Sequence, residues 1–270
     1  EITNNQDDLW VNKDGQLWSE KLYVDNTFGR FFRAEQVIFL PLSGAGPDMI
    51  QKEYLQEVYW FQEIAKRTVV NMNNKQYTIN DLCWSALPDS NCTIQSPLGF
   101  WQNNYTRLMN DPDLHYTTQC LNSIDPTNSL ACFDETGVPV QVNVVFGGVS
   151  KVYNTSSASC KKFSKKQVLY SDGQELTDQG QIDDCTPYIY NAQALVLTFL
   201  LNDQDSTNPI SEQWEQQAII NTANLWKSNT NTDFIKPLLP DIQIPSRPLL
   251  LGMNYMVGSS IPDELKAESK

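Results

Sequence analysis

The stretch FGRFFRAEQVIFL, residues 28–40, sets three phenylalanines around Arg30 and then runs apolar. Its second part, AEQVIFL at 34–40, ends against the turn residues SGAGP at 43–47, which predicts a buried strand closed by a turn. The phenylalanines ahead of it, Phe28, Phe31 and Phe32, are expected to pack beneath the sheet this strand starts. Just beyond, Asp48 and Gln51 have the spacing of a capping box. Ile50, Tyr54, Val58, Phe61 and Ala65 then recur at helical spacing and predict a helix over 49–67 with one buried face.

The remaining elements follow from the same periods. Ser96 as N-cap and Pro97 at the first position open a second helix, with Leu98, Trp101, Tyr105 and Leu108 as its stripe. In VPVQVNVVF at 138–146 the valines alternate, which reads as a strand, and Pro139 assigns it to a sheet edge. ALVLTFLLN at 194–202 is almost continuously apolar, as in a strand covered on both faces. Residues 211–226 read as a helix with Trp214, Ala218 and Leu225 on one face, and 249–257 as the last strand. The order strand, helix, strand, strand, helix, strand is that of an α+β, ferredoxin-like βαββαβ antiparallel sheet, with the first and third strands central. Residues 1–27 read as an irregular N-terminal arm, 28–149 and 192–260 as the core, and the polar stretch 150–191 as an insertion, all within one domain.

Composition narrows the function. With 19 Lys and Arg against 32 Asp and Glu, the net charge of −13 opposes nucleic-acid binding, which needs clustered cations. The one basic cluster, Lys161, Lys162, Lys165 and Lys166, reads as a solvated face. No apolar run reaches the roughly 18 residues of a membrane span, and the chain reads as a processed piece without its own leader. The six cysteines form no CxxC pair and so no zinc signature. Six cysteines allow many connectivities; nearest-neighbour pairing of Cys83 with Cys92, Cys120 with Cys132 and Cys160 with Cys185 is the simplest, each bridge stapling a local excursion. Three N-x-S/T sequons, at Asn91, Asn104 and Asn154, agree with an oxidising, lumenal or extracellular setting.

Catalytic signatures are missing. The single histidine, His115, lies in a polar segment and reads as an exposed loop residue rather than a general base. GGVSKV fails as a nucleophile elbow, and there is no P-loop, H-E-x-x-H or dinucleotide fingerprint. The acidic residues Asp7, Asp8, Asp111, Asp113, Asp183 and Asp184 read as loop charges. No metal or cofactor is implied, and a binding role is expected rather than an enzymatic one. The competing readings are a secreted carbohydrate-active hydrolase, which would need two facing carboxylates in a groove, and a structural ectodomain.

Several stretches, in order, resemble one family: DLW at 8–10, FGRFFRAEQVIF at 28–39, DLC at 81–83, NCTIQSPLGFWQN at 91–103, ALVLTF at 194–199, QWE at 213–215 and IPDELKAES at 261–269. Together they resemble the middle lumenal domain of the Niemann–Pick type C sterol transporters, in a fungal version. The resemblance implies a domain of a polytopic membrane protein, facing the lysosome or vacuole lumen. Such a domain docks a small soluble sterol-carrier protein, which hands its sterol to another lumenal domain of the same transporter. It places the contact in two loops. The first is the stretch after the first strand, with Leu42, Ser43, Gly44, Ala45 and Gly46; the second is the segment from Met109 through Asp111, Pro112, Asp113, Leu114 and His115 to Tyr116. It also implies the Cys83–Cys92 and Cys120–Cys132 bridges. The first loop is shorter than in animal versions and lacks their aromatic tips, and the 150–191 insertion is larger. In an acidic lumen aspartates stay ionised while His115 gains a proton, so carrier binding is expected to depend on pH.

Overall fold

A computed structural model of the chain describes residues 12–28, 32–44, 48–85, 92–111, 114, 117, 120, 132–153, 168–169, 188–202 and 208–257. Its strands are β1 (Arg33–Pro41), β2 (Val70–Met72), β3 (Lys75–Tyr77), β4 (Ile94–Gln95), β5 (Phe146–Gly147), β6 (Ser150–Tyr153), β7 (Val168–Leu169), β8 (Tyr188–Asn191), β9 (Ala194–Leu201) and β10 (Leu251–Met256). The α-helices are α1 (Gln16–Phe28), α2 (Lys52–Arg67), α3 (Ile79–Leu82), α4 (Tyr105–Asn110), α5 (Val142–Val145), α6 (Asn208–Trp214) and α7 (Asn221–Ser228).

The main sheet runs β10–β1–β9–β4, antiparallel throughout, and β5 pairs with β9 beside β4's end of the ladder. Val37 of β1 faces Leu197 on one side and Tyr255 on the other. The fold is therefore α+β, and the two strands predicted to be interior are interior. The predicted second strand of the ferredoxin-like order is formed only at its end. Residues 138–146 do not form one strand: Val142–Val145 is a helical turn and only Phe146–Gly147 pair with β9. The reason is local competition for backbone groups. The Asp134 carboxylate accepts from the Thr136 and Val138 amides, Gly137 turns at φ +78°, and Val140 N–H donates to Cys132 O. Pro139 has no N–H to offer, so the segment is held by its own loop rather than by the sheet.

Helices cover one face of the sheet. The stripe on α2 falls as its spacing predicts: Tyr54, Val58, Phe61 and Ala65 are all buried. Phe61 meets Phe39 of β1 edge-to-face at 5.5 Å and Trp226 at 5.9 Å. Truncating such a buried phenylalanine costs about 3–5 kcal/mol. Asp48 and Gln51 form no capping box; the Asp48 carboxylate instead accepts from Ile50 N and, at 3.1 Å, from Ala192 N across the fold. The helix predicted to open at Ser96 does so, with Ser96 Oγ accepting from Leu98 N, but only as the 3-10 turn Pro97–Trp101. Gln102 and Asn103 then adopt left-handed conformations, and Asn104 starts α4 as a fresh N-cap by accepting from Arg107 N at 3.0 Å.

The C-terminal helix spans α6, a π-helical segment Glu215–Ile220, and α7. A π turn carries an extra residue, which rotates everything after it. Trp214 and Ala218 are buried as predicted, but Leu225 is turned out and Trp226 takes the inward place. Two further expectations are corrected at the N-terminus. Residues 16–28 form a helix rather than an irregular arm, with Leu17, Leu22 and Tyr23 exposed. Phe32 is 43% exposed and lies against Trp84 instead of packing beneath the sheet; the placements of Phe28 and Phe31 lie outside what is described. The described residues of the 150–191 insertion form a three-stranded antiparallel sheet, β7–β6–β8.

Candidate docking site

The first turn of α2 holds the second of the two predicted contact segments, and β10 holds the first. The first segment runs from the end of β1 into α2. Leu42 is tied to β10 through its amide, which donates to Leu250 O at 2.8 Å, and its side chain lies across Gly252. That side chain is nonetheless 60% exposed. Ser43 and Gly44 are exposed, and Gly44 turns at φ +89°. Ala45, Gly46 and Pro47 lie outside the described residues.

The second segment is brought to the same end by α4. Lys52, Gln56 and Tyr59 follow one another down the outer face of α2 at helical spacing. Tyr59 stacks on Tyr105 at 4.8 Å, Gln56 Nε2 donates to the Tyr105 hydroxyl, and Lys52 Nζ donates to Met109 O at 3.1 Å. Burial, with Glu63 next, pushes the Tyr59 phenol up to about 12, so it stays a neutral stacking surface. The chain thus delivers Met109, 37% exposed, to the helix end that the first segment enters.

Other residues of the second segment have different work. Asp111 is buried and accepts from Trp101 Nε1 at 2.9 Å, so it is not a surface charge. Leu114 is half-buried against the core with φ +51°, which makes it an anchor of its own loop. Pro112, Asp113, His115 and Tyr116 lie outside the described residues.

The Cys83–Cys92 and Cys120–Cys132 bridges are both formed, each with 5.4 Å between Cα atoms. The first ties α3 to the lead-in of β4, and the second holds Cys120, beyond the second predicted contact segment, to the 132–140 loop. Cys160 and Cys185 lie outside the described residues, as do the sequons at Asn91 and Asn154. Asn104 is exposed at the start of α4. The root of the 150–191 insertion also reaches this region: Met49 N–H donates to Ala192 O, and Asp48 receives the Ala192 amide in return.

Sequence reasoning missed three buried carboxylates. Glu57 on α2 accepts from Arg247 Nη1 at 2.5 Å and from the amides of Leu250 and Leu251, each at 3.0 Å. Burial pushes its carboxyl up, and those donors push it back down. Glu35 and Glu215 are fully buried around Arg33. Facing carboxylates do exist, then, but Glu35 and Glu215 are closed off from water. Their only sequence signal is an acidic residue at an inward position of an apolar period, Glu35 within AEQVIFL and Glu57 within the α2 stripe. Among the described residues there is no cluster of acidic, His or Cys side chains fit for a metal ion, and no helix long and apolar enough to cross a membrane.

An antiparallel α+β domain stapled by local disulfides is the class that these features define. Residues 21–235 match the family model of the NPC1 middle luminal domain, and the chain belongs to that family. It is similar to the NPC intracellular cholesterol transporter 1 of Sus scrofa, 25% identical over 299 residues that cover 99% of this chain and 19% of the relative. The NPC1-like intracellular cholesterol transporter 1 of Homo sapiens is 29% identical over 61% of this chain and 15% of its own length. The NPC intracellular cholesterol transporter 1 homolog 1b of Drosophila melanogaster is 24% identical over 56% of this chain and 14% of its own length. The chain thus spans about a fifth or less of these relatives.

Proposed function

We propose that this chain is a lumenal docking module of a membrane sterol transporter, and that it receives a small soluble sterol-carrier protein at the end shared by segments 42–47 and 109–116. Family membership supports the transporter context, since the relatives are named for cholesterol transport. The observation that carries the docking site is exposed Met109, held by its carbonyl to Lys52 in the first turn of α2, with Leu42 exposed on the segment that precedes that helix in the chain. Apolar side chains held out on a rigid helix end suit the apolar rim of a sterol pocket, where a few anchors dominate affinity. The setting would be the lumen of a lysosome or vacuole, where the carrier passes its sterol on to another lumenal domain of the same transporter. The hydrolase alternative gains nothing from the paired carboxylates, because Glu35 and Glu215 are closed to any substrate.

The test is titration of the purified carrier at acidic pH against the chain carrying Leu42→Ala and Met109→Ala together. Anchors of this kind commonly cost about 1–2 kcal/mol each on truncation, so weakening by tenfold or more is expected. Undiminished binding by a variant with unchanged circular dichroism would remove this end as the docking site and turn attention to the 150–191 insertion.

A further inference from the structure

At the start of β1, the end of the strand away from Leu42, one cation and two carboxyl groups are closed inside the fold. Glu35 faces inward opposite Phe199, and Glu215 opens the π-helical segment that crosses above it; both are 0% exposed. Arg33 Nε donates to Glu35 Oε1 at 2.7 Å, and Arg33 Nη2 donates to Glu215 Oε1. The two carboxyl groups thus share one guanidinium. A single guanidinium balances one carboxylate, and a second negative charge this close and this dry is strongly disfavoured.

We propose that Glu215 stays protonated in the folded domain, and that in this neutral form it holds the 208–228 helix to the sheet beside Arg33 and Glu35, making the domain an acid-stabilised fold that loosens as its surroundings turn neutral to alkaline. The helix is a large part of the core, since Trp214, Ala218 and Ile219 are fully buried and Trp214 packs edge-to-face on Phe199 of β9. The clamp sits where the helix departs from α geometry. The π turn brings Glu215 inward in place of an apolar residue.

Other charged groups on the elements packed around the helix are engaged elsewhere. On α2, Glu57 pairs with Arg247, and Glu63 pairs with Lys66 and Arg67. Lys75 lies over the Tyr77 ring on the β2–β3 hairpin, Asp81 bonds Thr78 at α3, and Glu212 is exposed on α6. Burial first, and Glu35 next, push the Glu215 carboxyl up to about 8 against the pull of Arg33. A carboxyl raised on folding takes up a proton as the chain folds. Its contribution is complete below the unfolded value of ~4.3 and is lost as pH rises through the folded one. Between the two, the folding constant falls by up to about tenfold per pH unit.

The experiment is urea denaturation of the 270-residue chain from pH 5 to pH 8.5, beside Glu215→Gln, which keeps the shape but cannot ionise. Glu57 and Glu135 are also shifted upward by burial and act on both proteins alike, so the difference between the two profiles isolates the clamp. The parent's folding constant should fall more steeply than the variant's, by a margin approaching one proton. Infrared difference spectra of the folded parent should show a protonated-carboxyl band lost across the same range, and this loss should be absent or reduced in Glu215→Gln. Parallel profiles would overturn the proposal. If Glu215→Gln does not fold, Glu35→Gln decides, because removing the neighbouring charge should lower the midpoint of the infrared loss, and an unmoved midpoint overturns it.

Discussion

Replacing Glu57 by alanine should be among the most destabilising single changes in the domain. Its carboxylate is fully buried on α2 and holds three donors from across the chain: Arg247 Nη1 and the amides of Leu250 and Leu251. Those amides lead into β10, so one side chain fixes where the last strand enters the sheet. Alanine would strand a guanidinium and two amides. Breaking a buried ion pair by removing one partner costs about 3–5 kcal/mol, and each stranded neutral donor about 1–3 kcal/mol. The full sum overstates the loss, because Arg247 is 19% exposed, keeps bonds to Glu53 O and Pro248 O, and lies over the Trp60 ring. About 3–4 kcal/mol is the expected result. For a domain of this size that lowers the melting temperature by roughly 6–15 °C. Urea denaturation at pH 6 should show the midpoint falling at an unchanged slope. Adding Arg247→Leu to Glu57→Ala should return part of the loss, since the stranded cation is then gone. A loss under about 1 kcal/mol for Glu57→Ala would refute the reasoning, and so would full additivity of the two changes.

Asp111→Ala should cost about 1–3 kcal/mol by leaving the buried Trp101 Nε1 without its acceptor, while Asp111→Asn should cost less; the comparison is read from thermal melts. Asn104→Ala should lose the α4 cap, about 0.5–2 kcal/mol, whereas Asn104→Asp should keep it. If Asn104 carries a glycan, both changes should also produce the same gel shift as enzymatic deglycosylation of that site. Removing the Cys83–Cys92 bridge should cost about 2–4 kcal/mol, and non-reducing peptide mapping should pair Cys160 with Cys185 as the remaining neighbours.

The sequence by itself determined the elements whose partners are near in the chain or whose pattern has one solution. The 3.6-residue stripe of α2 and the continuous apolar run of β9 could be placed because burial imposes those periods on any fold that uses them. Two of the three expected local disulfides, Cys83–Cys92 and Cys120–Cys132, also followed from neighbouring cysteines, and Ser96 and Pro97 marked a helical start correctly. Tertiary structure decided the rest. The alternating valines of 138–146 satisfied a strand pattern, yet the Asp134 carboxylate and the stapled loop claimed their backbone groups first. Leu225 had the right spacing on an unbroken α-helix, and the π segment rotated it out. In the two predicted contact segments, Leu42 and Met109 were nameable as apolar residues, but Asp111 read as a surface charge because nothing local shows that Trp101 will need an acceptor. Glu35, Glu57 and Glu215 were the least legible. A buried carboxylate is defined by its partners, and Arg33 and Glu215 stand 182 residues apart, joined only when the helix closes over the sheet.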